Sequence, residues 1–386
     1  MARPYIFAEK NETPEKIDIP FVLLTVFMCG LGLATLYSAS LSYAGRLFDD
    51  PLYFVKRQAL NLAVSIAGMI FFASISLNML RKLLPQIIVI TLILCILTFV
   101  PGIGITKNGA SRWIGFSSFN FQPSELAKMV LVLFLANLFA KKHDRIDEFK
   151  ATMFPASVVT FVFVFIVYLQ NDFSTAIFIL LAALAVFFVA GVKVSWFIKL
   201  CVLIVPFVAL MILTEEYRVI RVLSFLHPER DPLGAGYQVN AALDALAEGG
   251  FWGRGLGNGI KKISSIPEVQ SDFIFTVWAE EMGFLGVLIY FTMLILFSLR
   301  SFGISMKSKS RFGFLLGFGC SFIILFQSLM NIGVVVRAFP ATGIPLPFFS
   351  SGGSSLLITL CICGLLINIS RNKTGEETED AAIYCN

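Results

Sequence analysis

Ten apolar runs, each about as long as a bilayer is thick, divide this chain between residues 18 and 370. They lie at about 18–40, 58–77, 84–102, 123–140, 152–170, 173–191, 195–214, 272–299, 312–336 and 343–370. A helix needs roughly 20 apolar residues to cross a hydrocarbon layer of about 30 Å. Backbone groups in that layer find no water, so spanning segments must satisfy themselves as helices or closed barrels. Runs of this length select helices. Composition agrees, because 14% of the 386 residues are charged, against roughly 25% in a soluble domain. The expected fold class is an all-α polytopic membrane protein of about ten transmembrane helices. The net charge of +5 is small and spread out, which argues against a nucleic-acid partner.

An even number of spans puts both termini on one side. The termini and the loops after spans two, four, six and eight hold 17 Lys and Arg, counting Lys199 at the start of span seven. The short loops opposite hold six: Arg46, Lys56, Arg57, Lys107, Arg112 and Arg337. The positive-inside rule therefore makes both termini cytoplasmic, and the long loop 215–271, between spans seven and eight, extracytoplasmic. The expected organisation is a cytoplasmic tail 1–17, a transmembrane domain 18–370 and an acidic cytoplasmic tail 371–386. The first run lacks a small-residue cleavage site and is expected to stay as an anchor. Six of the seven cysteines sit inside apolar runs and read as small core hydrophobes. With only His143 and His227 present, a histidine-built metal site is excluded.

An ionisable side chain at bilayer depth costs about 2.5–3.5 kcal/mol or more unless it is paired or hydrated. Three clusters meet that condition. In "NGASRWIGFSSFNFQPSELAK" (108–128), Pro123 suits an early helical position. Glu125 and Lys128 then stand at i and i+3 on one face. They are either a structural ion pair or the floor of a polar cavity open to the outside, with Arg112 at its rim. In "YLQNDFSTAIF" (168–178), Asp172 sits in a short turn, where it either caps the next helix or lines the same cavity. In "SSIPEVQSDFIFTVWAEEMGFLG" (264–286), Asp272 stands where the long loop meets span eight. Glu268 faces water in the loop, and Glu280 and Glu281 lie two to three turns deeper, in a supporting polar network.

The long loop holds an amphipathic stretch, 237–248, expected as a helix lying on the membrane surface. Its "GRGLGNG" lacks dinucleotide-fingerprint spacing and reads as a tight, pliable loop. The segment "FPATGIPLPFFSSGGSS" (339–355) puts Pro and Gly at bilayer depth. Such broken backbone is tolerated only in protein or beside a cavity, which makes Ser351, Gly352 and Gly353 cavity candidates. No histidine accompanies these serines, so a Ser-His hydrolase is unsupported. Acids converging on an outward-facing cavity fit two classes: a transporter, or an enzyme acting on a lipid-linked substrate at the outer leaflet. No inverted repeat is visible, which favours the enzyme.

Six blocks in order then carry a resemblance over about residues 17–371: "NGASRWIGF…FQPSELAK", "QNDFSTA", "FLHPERDPLGAGYQ", "GGFWGRGLGNGIKK", "IPEVQSDFIFTVWAEEMGFLG" and "TGIPLPFFSSGGSS". With them the chain resembles the SEDS family (shape, elongation, division and sporulation), typified by FtsW and RodA, and is more similar to the division-type branch. It departs from the family's usual pattern in reading "QNDFST" for Q-P-D-F-G-T, "QSDF" for H-T-D-F and "SSGG" for S-Y-G-G; both aspartates stay.

The resemblance implies a peptidoglycan glycosyltransferase that polymerises lipid II at the outer face of the bacterial cytoplasmic membrane, in septal wall synthesis. It implies a class B penicillin-binding transpeptidase, other divisome proteins and the lipid bilayer as partners. It also places the catalytic aspartate on Asp272, as general base toward the acceptor sugar hydroxyl, with undecaprenyl diphosphate leaving. Positive charge on the departing diphosphate would help. The candidates are Arg112, Lys128, Arg218, Arg221, Lys261, Lys262 and Arg337, or a divalent cation, Mg or Mn. The rival readings are a lipid II flippase, an elongation-type polymerase and a non-catalytic scaffold.

Overall fold

The computed structural model describes residues 17–107, 109–116, 119–226, 235–260 and 269–371. Three helices come first: α1 (Ile19–Phe48), α2 (Tyr53–Ser74) and α3 (Leu77–Leu97). A small sheet follows, β1 (Gly104–Lys107), β2 (Ala110–Phe116) and β3 (Phe119–Phe121). Next are α4 (Pro123–Lys141), α5 (Phe154–Leu169), α6 (Phe173–Ala190) and α7 (Val194–Leu213). The long connection carries α8 (Glu216–Leu226) and α9 (Ala235–Gly249), and the chain finishes with α10 (Ile274–Met306), α11 (Arg311–Val335) and α12 (Gly353–Arg371).

Among the described residues nine helices are long and apolar enough to cross a membrane: α1 to α6 and α10 to α12, with α5 extended by the turn before it. The run expected at 195–214 is also helical, as α7, with Pro206 inside it. The chain is thus a polytopic helical membrane protein, but not purely α-helical. The sheet pairs β1 with β2 and β2 with β3, both antiparallel, with Gly104 opposite Ile114 and Ile114 opposite Phe121. The expected polytopic helical fold is present, with this small sheet added between α3 and α4. The signal was present in the dipeptide Asn108-Gly109, a strong hairpin marker, masked by the apolar run just before it.

Helix α12 is the central pole, 89% buried along its apolar window, whereas α2 is 11% and α3 22% buried. Lipid tails are as apolar as leucine, so membrane helices associate through close packing and interhelical hydrogen bonds. The α2–α12 contact shows both. A Cβ added at Gly364 would lie 2.3 Å from the Met69 carbonyl oxygen. Asn368 Nδ2 donates to the carbonyls of Phe72 (2.8 Å) and Ile75 (2.5 Å). Buried hydroxyls return to their own helices, as Thr25 does to the Phe21 carbonyl at 2.9 Å.

The expected surface helix exists as α9, but it packs on α10. Val239, Ala241, Ala242 and Ala245 are buried on its inner side. Helix α10 itself is broken. Gly283 has φ +63° and ψ −162°, outside helical space, so residues 274–282 and 284–306 form two helical segments. The glycine-rich turn after α9 docks into that break. Arg254 N–H donates to the Glu280 carbonyl (3.1 Å) and Gly255 N–H to that of Glu281 (2.9 Å). In the other direction Phe284 N–H reaches the Gly250 carbonyl (2.9 Å) and Leu285 N–H that of Phe251 (3.2 Å). Four backbone groups opened by the break are met by one turn, as a low-dielectric setting requires. The approach leaves no room for a side chain, since a Cβ at Gly253 would lie 2.2 Å from the Glu281 carbonyl oxygen.

Candidate functional site

Asp272 sits two residues before α10, partly exposed, while Phe273 to Ala279 behind it are buried. The segment between α11 and α12 wraps around it. Three successive carbonyls are gripped there. Ser351 N–H donates to the Gln270 carbonyl at 2.9 Å. Ser350 Oγ donates to that of Ser271 at 2.5 Å. Asn331 Nδ2, from α11, donates to the Asp272 carbonyl at 2.8 Å and to the Ile344 carbonyl at 2.9 Å. A Cβ at Gly343, where φ is +69°, would lie 3.4 Å from Asp272 Oδ2, so the backbone at Gly343 borders the carboxylate. Arg337 and Phe348 also have left-handed backbone (φ +56° and +68°), which costs about 1–3 kcal/mol each where a side chain is present. The surrounding packing holds that strain: Phe348 is buried with its ring 5.5 Å from that of Phe297.

A buried ion pair lies behind the same segment. Lys128 Nζ is 2.9 Å from Glu125 and donates to Gln327 Oε1 at 2.8 Å. It also stands 5.0 Å from the centre of the Phe178 ring. Gln327 Nε2 in turn donates to the Pro345 carbonyl (3.0 Å) and Ser355 Oγ (3.3 Å). Glu125 occupies the first turn of α4, where the helix dipole favours an anion. Gln327 and Asn331 are one turn apart on α11, so one helix face ties the ion pair to the backbone of Asp272.

Asp172 caps α6, accepting from Thr175 N–H at 3.4 Å, and it also accepts from Gln122 Nε2 at 3.2 Å. Arg112, on β2, lies 3.7 Å from Asp172 and donates to the Asn171 carbonyl at 3.1 Å. Gln122 N–H donates to Ser354 Oγ at 2.9 Å, which links this corner to the start of α12 beside Gly352 and Gly353. From α8, Arg221 donates to the Ala341 carbonyl at 3.0 Å and to the Tyr217 hydroxyl, whose ring lies under the guanidinium. Arg337 donates to the Phe225 carbonyl at 3.3 Å. Arg218 is buried against Tyr168 and Phe173 and donates to the Met211 carbonyl at 2.7 Å.

Glu280 and Glu281 face a different neighbourhood. Both are buried; Glu281 accepts from Ser38 Oγ of α1 at 2.6 Å, and Glu280 accepts from Ile260 N–H at 2.7 Å. They stand at the Gly283 break with the docked turn. Lys261, Lys262 and Glu268 lie outside the described residues, as do His227 and most of both tails.

Sequence reading missed Gln122, Gln327 and Asn331. The usable signal was polar amides one turn apart inside an apolar run, which rarely lack a partner in lipid. Among the described residues no three His, Cys, Asp or Glu side chains gather as a metal site.

Known proteins match this chain over nearly their whole length. The FtsW, RodA and SpoVE family, described as cell cycle protein, matches residues 20–375. A probable peptidoglycan glycosyltransferase FtsW of Geobacter sp. (strain M18) is 37% identical over 361 residues, covering 94% of this chain and 98% of that one. The stage V sporulation protein E of Bacillus subtilis is 35% identical over 357 residues, covering 92% and 97%. Among solved structures, a chain from a peptidoglycan synthase complex superposes with a TM-score of 0.75 at 29% identity, covering 93% of this chain and 99% of its own. The rod shape determining protein RodA of Thermus thermophilus gives a TM-score of 0.69 at 26% identity, covering 93% and 98%.

Proposed function

The chain belongs to the FtsW, RodA and SpoVE family of cell cycle proteins and is a multi-pass membrane glycosyltransferase of FtsW type; from that premise we propose that it polymerises lipid II into septal peptidoglycan with Asp272 as general base. The observation that carries this is a partly exposed carboxylate whose flanking backbone is fixed at three consecutive carbonyls. A general base must be held within hydrogen-bond reach of the proton it takes, and such catalysis contributes typically 10²–10⁴-fold.

The acceptor sugar hydroxyl gives its proton to the Asp272 carboxylate while its oxygen bonds the donor's anomeric carbon. The bond from that carbon to the diphosphate oxygen breaks, and undecaprenyl diphosphate leaves with the electron pair. Arg221, which reaches the backbone two residues from Gly343, is the cation we assign to the departing diphosphate. Arg221→Ala is expected to lower the rate about 10²-fold, the effect of removing one preorganised donor at a developing charge. Both termini are placed in the cytoplasm and Asp272 at the outer face, following the Lys and Arg asymmetry. The partner we assign is a class B penicillin-binding transpeptidase, alongside other divisome proteins. The basis is the likeness to a synthase complex that couples polymerization to crosslinking.

The test uses purified full-length protein, fluorescent lipid II, and arms with the cognate transpeptidase and with a chelator. Wild type makes glycan polymer, and Asp272→Ala makes none while staying folded. Normal polymer from Asp272→Ala overturns the role of Asp272. Lipid II translocation in liposomes without polymer replaces the enzyme with a transporter. Loss of polymer with chelator alone brings in Mg or Mn.

A further inference from the structure

We propose that Asn331 is a positioning residue for Asp272, working with Ser350; this rests on Asp272 as the general base. Asn331 is buried on α11, and its single amino group donates to two carbonyls that belong to different segments, Asp272 and Ile344. It therefore staples the residue bearing the base to the stretch 343–346 that borders its carboxylate. Its Oδ1 is buried with no hydrogen-bond partner. The amide is thus oriented by its donor end, and the donor is the part the site uses. Ser350 repeats the device one residue earlier in the chain. It accepts from Leu346 N–H at 2.8 Å and donates its own O–H to the Ser271 carbonyl at 2.5 Å. Gln58 Nε2 holds the Ser350 carbonyl at 3.1 Å from α2.

A carbonyl that receives a buried hydrogen bond cannot rotate without leaving a donor unsatisfied. Ser271 and Asp272 are thus both held at their carbonyls, by Ser350 and by Asn331 of α11, with Ser350 itself held by the buried Gln58 of α2. Gln327, one turn before Asn331, ties the neighbouring Pro345 carbonyl to Lys128 and Glu125. The buried ion pair is thereby the far anchor of the same staple.

The test compares full-length Asn331→Leu, Ser350→Ala, Ser350→Thr and Asp272→Asn with wild type in lipid II polymerisation, reading kcat and KM separately along with thermal unfolding. Ser328→Ala is the matched control. Its hydroxyl is buried on the same helix, but it returns to the Ile324 carbonyl at 2.9 Å, away from the segment. Positioning predicts that Asn331→Leu and Ser350→Ala lower kcat at least tenfold with KM within about twofold. Ser350→Thr keeps the donor and stays within about threefold, and Ser328→Ala leaves kcat unchanged whatever its unfolding temperature. If Asn331→Leu does not fold, the Ser350 pair decides. The proposal is overturned if Ser350→Ala retains wild-type kcat, or if its loss matches that of Ser328→Ala. When Asp272→Asn is dead and Ser350→Ala is normal, positioning alone fails. When Asp272→Asn polymerises normally, the general-base reading fails and positioning goes with it.

Discussion

Acids stand in two settings at the start of α10, two to three turns apart, and their surroundings differ. Asp272, before the first turn, is partly exposed and gripped through its backbone by α11 and the segment before α12. Glu280 and Glu281 are buried and gripped through their carboxylates, by Ile260 N–H and the Ser38 hydroxyl. A carboxylate that must exchange protons with a substrate needs a fixed backbone and access to it, and Asp272 is partly exposed. One that steadies a broken helix can be fully enclosed, as Glu280 and Glu281 are. Under the proposed reading the difference separates a chemical role just ahead of the helix from an architectural one inside it, and each half of it can be attacked.

The largest structural effect is expected at the ion pair behind the site. Lys128→Met leaves Glu125 buried without its cation, a change that costs about 3–5 kcal/mol. Thermal unfolding in detergent should show it as a large drop, accompanied by lost polymerisation. Unchanged stability would mean that Glu125 is neutralised by another route. Next comes Gly253→Ala, which forces a methyl onto the Glu281 carbonyl at a position with φ +79°. About 3 kcal/mol is expected, within the tail associated with overpacking and backbone strain. Proteolysis of the turn after α9 should rise with it. Ser38→Ala removes one hydrogen bond to a buried charge, worth about 1.5–3 kcal/mol, and should lower the unfolding temperature while kcat stays near wild type. The smallest effect belongs to Arg254→Ala. Arg254 pairs with Glu248 at 2.7 Å, each side chain about one-third exposed, and such a pair contributes about 0.2–1 kcal/mol. Its backbone N–H, the part that meets Glu280, survives the substitution.

Much of this molecule is readable from its sequence because lipid enforces simple rules. Apolar runs of fixed length must be helices, and ionisable residues inside them must be accounted for. Glu125, Lys128, Asp172 and Asp272 stand out on those grounds. What the pattern could not show is pairing across the bundle. The links from Gln327 to Pro345 and from Asn331 to Asp272 join residues far apart in the chain, and nothing in a one-dimensional pattern registers them. The break at Gly283 was hidden for a related reason. Glycine is common in membrane helices, and only the docked turn reveals that this one lies outside helical space. The sheet before α4 was lost because three short strands carry little periodicity beside an apolar run, although Asn108-Gly109 marked the hairpin. Helix α9 was visible by its spacing, but its partner was not, since an apolar face suits a protein groove as well as a membrane surface.

The most direct measurement sets Asp272, just before α10, against Glu281 inside it. Asp272→Asn and Glu281→Gln, each a near-isosteric removal of charge, are compared with wild type for lipid II polymerisation rate and unfolding temperature in the same detergent. The account predicts that Asp272→Asn loses about 10²–10⁴-fold in rate while its stability stays within about 0.5 kcal/mol of wild type. Glu281→Gln is predicted to lose stability and to keep its turnover per folded molecule. Substantial polymerisation by Asp272→Asn, together with a Glu281→Gln protein that is stable but inactive, would assign the chemistry to the buried acid and contradict the account.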